Sequence, residues 1–159
     1  MKFITHKAIT FFVLMITMST AYSSDFFSHS VLTLPDDPRI EEPWSKTITT
    51  QQDWESYFYS TTAHMTFPQG EAPTAPQLDF ENYQILAGGL GMKPSGGNIV
   101  SVNNVQELDD IIDIYVLAIK SGASCVSIAM ISYPSTTILV KKTDKPFRFT
   151  ILNSIAECE

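Results

Sequence analysis

From Leu78 onward, short runs rich in Ile, Val and Tyr are separated by Gly, Pro, Asn or Asp, the texture of half-buried strands joined by turns. The runs predict strands over residues 83–89, 98–106, 111–119, 125–132, 136–142 and 147–152, with turns at Asp109-Asp110, residues 120–123, Tyr133-Pro134-Ser135 and residues 143–145. Connections this short favour antiparallel neighbours, because a parallel pair needs a crossover of about a dozen residues or more. Upstream the apolar period changes from two to between three and four. Trp54, Tyr57 and Phe58 fall at i, i+3 and i+4, Thr50 offers an N-cap hydroxyl, and Asp53 places an acid in the first turn. A helix over residues 51–60 follows, its three rings either packed on the core or offered as an aromatic ligand platform. Pro68, Pro73 and Pro76 make the next segment a loop, since proline cannot donate to a central ladder. The fold class is mainly β (α+β): a small antiparallel β-sandwich or partly open barrel with one N-terminal α-helix.

The pattern ahead of the helix divides in two. Residues 1–7 carry Lys2 and Lys7 and no acid, and residues 8–18 are apolar apart from threonines. That run is shorter than the roughly 20 residues of a membrane helix and fits a signal h-region of roughly 7 to 15. Small residues around Ala21 and Ser23 both suit cleavage, so residues 1–23 read as a signal peptide and the mature chain as periplasmic or secreted, with no integral membrane segment after processing. Residues 24–43, with Pro35, Pro38 and Pro43, read as an extended arm holding at most a short strand around 31–34, and residues 44–159 as one β-rich domain.

Charge narrows the partners. The full sequence has 10 basic and 17 acidic residues, and removal of Lys2 and Lys7 leaves 8 against 17, a net charge of −9. With Arg39 and Arg148 as its only arginines, the chain lacks the basic stripe that nucleic acid requires. The two cysteines, Cys125 and Cys158, are most simply a disulfide in an exported chain, closing a loop of about 33 residues.

Five of the seven glycines lie in residues 88–97 (Gly88, Gly89, Gly91, Gly96 and Gly97) around Lys93-Pro94-Ser95. Pro94 presets a turn corner and Gly96 is the residue expected to take positive φ, so the stretch reads as a hairpin connection or a functional loop. Catalytic and metal chemistry find little support. Gly122-Ala123-Ser124-Cys125-Val126 lacks the second glycine of a serine-hydrolase elbow, the Cys and His residues are too isolated to seed a zinc site, and Glu107, Asp109, Asp110 and Asp113 lack calcium-loop spacing. No cofactor, metal or catalytic residue is expected. An envelope enzyme using Cys125 or Ser124 is the rival reading.

Four motifs in order carry a resemblance: Asp53-Trp54-Glu55-Ser56-Tyr57-Phe58, Pro76-Gln77-Leu78-Asp79-Phe80, Gly91-Met92-Lys93-Pro94-Ser95-Gly96-Gly97, and Ser132-Tyr133-Pro134 followed by Ile138-Leu139-Val140. Over residues 46–150 the chain resembles the C-terminal domain of the protease complex subunit PrcB family. Asn98 stands where that family usually carries an aromatic. The resemblance implies an exported, non-enzymatic protein-binding module, an accessory or stabilising partner of a protease. The expected contact residues are Gly91, Lys93, Pro94, Ser95, Gly96 and Gly97. A looser likeness of the Pro-Ser-Gly loop to those of chagasin-type inhibitors implies a protease inhibitor as the alternative.

Overall fold

The computed structural model describes residues 25–67, 72–126 and 129–158; the expected signal peptide lies outside them. The described elements are strands β1 (Asp25–Phe26), β2 (His29–Val31), β3 (Trp44–Ile48), β4 (Tyr83–Gly89), β5 (Ile99–Glu107), β6 (Ile112–Ser121), β7 (Ser135–Lys141) and β8 (Phe147–Ala156), with helix α1 (Gln51–Thr62) between β3 and β4. They form two four-stranded sheets, ordered β1-β5-β6-β8 and β2-β7-β4-β3. The fold is an α+β sandwich.

Alternation sorts the side chains into layers. Leu86, Ile138 and Val140 from one sheet meet Val105, Ile112, Ile114 and Val116 from the other. The opposite face of the second sheet sends Ile48, Ile85 and Ala87 under the helix. β4 is therefore buried on both faces, which explains why its apolar run is continuous rather than alternating.

The helix forms where its cap allows. Thr50 Oγ1 accepts from Asp53 N at 3.1 Å and donates to Asp53 Oδ2 at 2.8 Å, satisfying an amide that the first turn leaves unpaired. Trp54, Tyr57 and Phe58 are 1 %, 6 % and 5 % exposed, so the rings are core and not a ligand platform. Trp54 Nε1 donates to Pro76 O at 3.0 Å, tying the proline-rich loop to the helix, and Tyr57 Oη lies 3.0 Å from Thr137 Oγ1 on β7.

Strand positions follow the sequence closely from β4 on, but several pairings do not. Consecutive strands repeatedly change sheet: β4 to β5, β6 to β7 and β7 to β8 all cross the sandwich, while β5 and β6 form a hairpin closed by Leu108 N to Ile111 O at 2.9 Å. The glycine-dense stretch is therefore a sheet-to-sheet crossing, not a hairpin. β6 and β8 are parallel against the antiparallel expectation, because the chain between them contributes β7 to the other sheet and is long enough to provide the required crossover. No strand forms among the described residues of 125–132. Cys125 N instead turns back to Gly122 O at 3.2 Å, and Ser132 makes an isolated bridge to Lys93. β3 has no signal of its own, since its alternation is only Trp44 and Ile48 around three polar residues.

Residues 24–43 are extended for much of their described length, yet bonded into both sheets. β1 pairs with β5 and β2 with β7, while Phe27 packs against the core between the sheets and Leu32 and Leu34 against the helix side. Ser135 Oγ donates to Asp37 Oδ1 at 2.6 Å, and burial raises the Asp37 pKa above the ordinary carboxylate value. No helix among the described residues is long and apolar enough to cross a membrane.

Candidate functional site

The crossing from β4 to β5 is held by backbone contacts that small residues permit. A Cβ on Gly89 would stand 2.6 Å from Trp44 Nε1 and 3.1 Å from Pro134 O, so the glycine lets the indole lie across the strand end. Gly91 is buried with φ 73°, and its Cα faces Glu41 O and the start of the Pro43 peptide. The positive-φ positions are Gly91 and Gly97 (φ 78°), not the expected Gly96.

Three other segments grip the loop. Met92 N donates to Glu41 O at 2.8 Å, and Lys93 exchanges two backbone bonds with Ser132 at 2.8 and 3.0 Å. Ser132 Oγ and Asn98 Nδ2 both donate to Ser95 O, at 3.0 and 2.6 Å, and Ser121 Oγ donates to Gly97 O at 3.2 Å. Asn98 thus closes the turn from within, a role its side-chain amide can fill and an aromatic could not. Pro94 remains exposed at the tip and Ser95 half-buried.

Lys93, Pro94 and Ser95 form one wall of a groove of about 610 Å³, and Ile151, Asn153 and Ile155 of β8 line the other. Lys93 and Lys120 are the charged residues that line it, and neither joins an ion pair among the described residues. A smaller apolar cleft of about 280 Å³ adjoins it between the sheets, where Gly88 leaves space opposite Phe149 and Ile151. Leu90 and Ile151 border both. Of the expected contact residues, Lys93, Pro94 and Ser95 come together at the groove. Gly91 is turned inward as a structural residue. Ile151, Asn153, Ile155 and Lys120 had no functional signal in sequence, because only the pairing of β8 beside β6 places them opposite the loop.

The other chemistries can now be located. Cys125 and Cys158 are joined in a disulfide with Cα atoms 4.9 Å apart, a bond compatible with an oxidising compartment. Ser124 Oγ donates to Glu157 Oε2 at 2.7 Å and accepts from Cys158 N at 2.8 Å. The acids around the β5–β6 hairpin are engaged separately: Glu107 pairs with Lys145 Nζ at 2.7 Å, and Asp113 is clasped by Arg148 through both carboxylate oxygens. No group of three or more metal-binding side chains converges among the described residues.

Fold and site together define a two-sheet sandwich with an open groove at one edge, flanked by a pinned loop. Residues 85–141, from within β4 to the end of β7, match the family described as PrcB C-terminal. Comparison with curated proteins and with solved structures gave no match.

Proposed function

We propose that this protein is an exported, non-enzymatic binding module that accompanies or stabilises a protease, and that it engages its partner through the groove between Lys93-Pro94-Ser95 and β8. The observation that carries this reading is the loop's anchorage to Glu41, Ser121 and Ser132, beside two lysines without ion pairs. A loop ordered before binding loses little further entropy on contact. In a chain with a net charge of −7, Lys93 and Lys120, both outside the ion pairs, favour an acidic or carbonyl-rich segment in this groove. The PrcB C-terminal match supports a protease as the partner class. The non-enzymatic reading is supported by the engagement of Cys125 in a disulfide and of the Ser124 hydroxyl with Glu157.

The test is affinity capture from the cell envelope with wild-type chain and with Lys93→Glu, identifying retained proteases by mass spectrometry. Wild type should retain a protease, and Lys93→Glu should retain markedly less while melting at the wild-type temperature. Assaying that protease with and without the chain then separates a stabiliser from an inhibitor. Retention of no protease by wild type above a bare-resin control would overturn the proposal.

A further inference from the structure

The groove and the apolar cleft are consecutive levels of one opening between the sheets. β6 and β8 pair Val116 with Ile151, Ala118 with Asn153 and Lys120 with Ile155. Side chains two residues apart on a strand share a face at a spacing of about 6.5 Å. Climbing this face therefore passes from the cleft, bordered by Val116 and Ile151, to the groove, bordered by Asn153 and Lys120. On the facing sheet, Ser45, Gly88 and Thr136 lie side by side in register at the level of the cleft. They leave open the space that Leu86 and Ile138 fill one rung deeper in the core. The cleft measures about 280 Å³. A cavity of about 150 Å³ lined by Leu, Ile and Phe accepts a benzene ring, so there is room here for one phenyl or branched apolar side chain.

We infer that this opening binds the C-terminus of a partner polypeptide, with an apolar last side chain seated in the cleft and the terminal carboxylate met by Lys93 and Lys120. The two lysines come from different walls, Lys93 from the loop and Lys120 from β6, and neither joins an ion pair among the described residues. No described acidic residue lines the cleft or the groove, although the chain has 17 acids against 10 bases. Charge complementarity thus selects an anion, and the adjoining cleft selects what the anion is attached to. In an extended segment neighbouring side chains point to opposite faces, so an internal acid beside an apolar residue turns away from the groove. A chain-terminal apolar residue carries both groups itself. With its side chain among Val116 and Ile151, its carboxylate falls toward the level of Asn153 and Lys120.

This inference rests on the proposed protein-binding role and names the part of the partner that the site takes, but its test needs no protease. Fluorescence anisotropy of the disulfide-intact chain is measured with dye-labelled Ala-Ala-Ala-Phe carrying a free C-terminus and with the same peptide as its C-terminal amide; calorimetry measures octanoate. The free acid should bind with a Kd below about 1 mM and the amide roughly tenfold more weakly. Added salt should weaken the acid and leave the amide unchanged, since only the acid meets the lysines as a charge. Lys120→Gln should reduce the preference for the acid. Thr136→Met fills the cleft without touching the groove, and should remove binding of both peptides while the chain melts no lower than wild type. An acid peptide that does not saturate by about 1 mM, an amide that binds equally, or a Thr136→Met chain that binds as wild type does would overturn the inference. Octanoate that binds where the acid peptide does not assigns the cleft to a free fatty acid and overturns the chain terminus. A protease captured equally by wild type and Thr136→Met leaves the association standing and overturns the part of the cleft in it. Acid-selective peptide binding without capture of any protease supports the terminus site and overturns the protease reading alone.

Discussion

Gly91 and Gly97 hold the two left-handed backbone positions of the crossing, and the cost of replacing them differs in its source. Alanine at either site carries about 1–2 kcal/mol of αL strain. At Gly91 the new Cβ also meets the Glu41 carbonyl and the Pro43 peptide, whereas at Gly97 it meets the movable Ser121 hydroxyl. Gly91→Ala should therefore lower chemical-denaturation stability more than Gly97→Ala. Tyr57 makes a second residue-scale prediction. Burial is the main cause that pushes its pKa up to about 12. Between pH ~10, where the unfolded chain ionises, and that value, the unfolded state releases a proton that the folded state retains, so stability falls as pH rises. Tyr57→Phe should remove that part of the alkaline slope. At neutral pH it should also cost about 1–3 kcal/mol, because Thr137 Oγ1 then loses its buried partner.

The decisive element is β8, joined to β6 in parallel and by the clasp of Arg148 on Asp113. The Asp113 side chain is 1 % exposed and Arg148 57 %. Hydrogen bonds from the guanidinium hold the Asp113 carboxyl below the ordinary carboxylate range. A lowered folded-state pKa gives stability that is present above about pH 4 and is lost as pH falls through the folded value. Arg148→Met should reverse that dependence locally: the buried carboxylate loses its partner, the variant melts lower at neutral pH, and acid narrows its deficit against wild type. Thermal melts from pH 3 to 7 check the crossover. Helix α1 contrasts with β8 in legibility. Its cap, its first-turn acid and its aromatic stripe all lie within a dozen residues, so the sequence displayed them. β3 and the edge position of β8 were not legible, because neither alternation nor composition specifies which strand lies alongside another.

At the scale of the whole molecule, the Cys125–Cys158 bond ties the turn after β6 to the end of β8. On chain-entropy grounds, closing a loop of this length contributes about 3 to 4 kcal/mol. Reduction should lower the denaturation midpoint accordingly and loosen the far end of β8 before the helix side, as hydrogen exchange can read. The sequence by itself determined the capped helix and its aromatic stripe, the strand at residues 83–89, the hairpin turn at Asp109-Asp110 and the cysteine pair, because these rest on local dihedral preference, short-range periodicity or simple pairing. It also marked the glycine stretch, but as a hairpin connection or functional loop with Gly96 expected at positive φ. Tertiary structure alone decided that the stretch crosses between sheets, that Gly91 and Gly97 carry the left-handed geometry, and that Lys93, Pro94 and Ser95 face β8 across a groove. Those outcomes depend on strand order and on carbonyls contributed by Glu41, Ser132 and Pro134, partners tens of residues away whose positions no local pattern encodes.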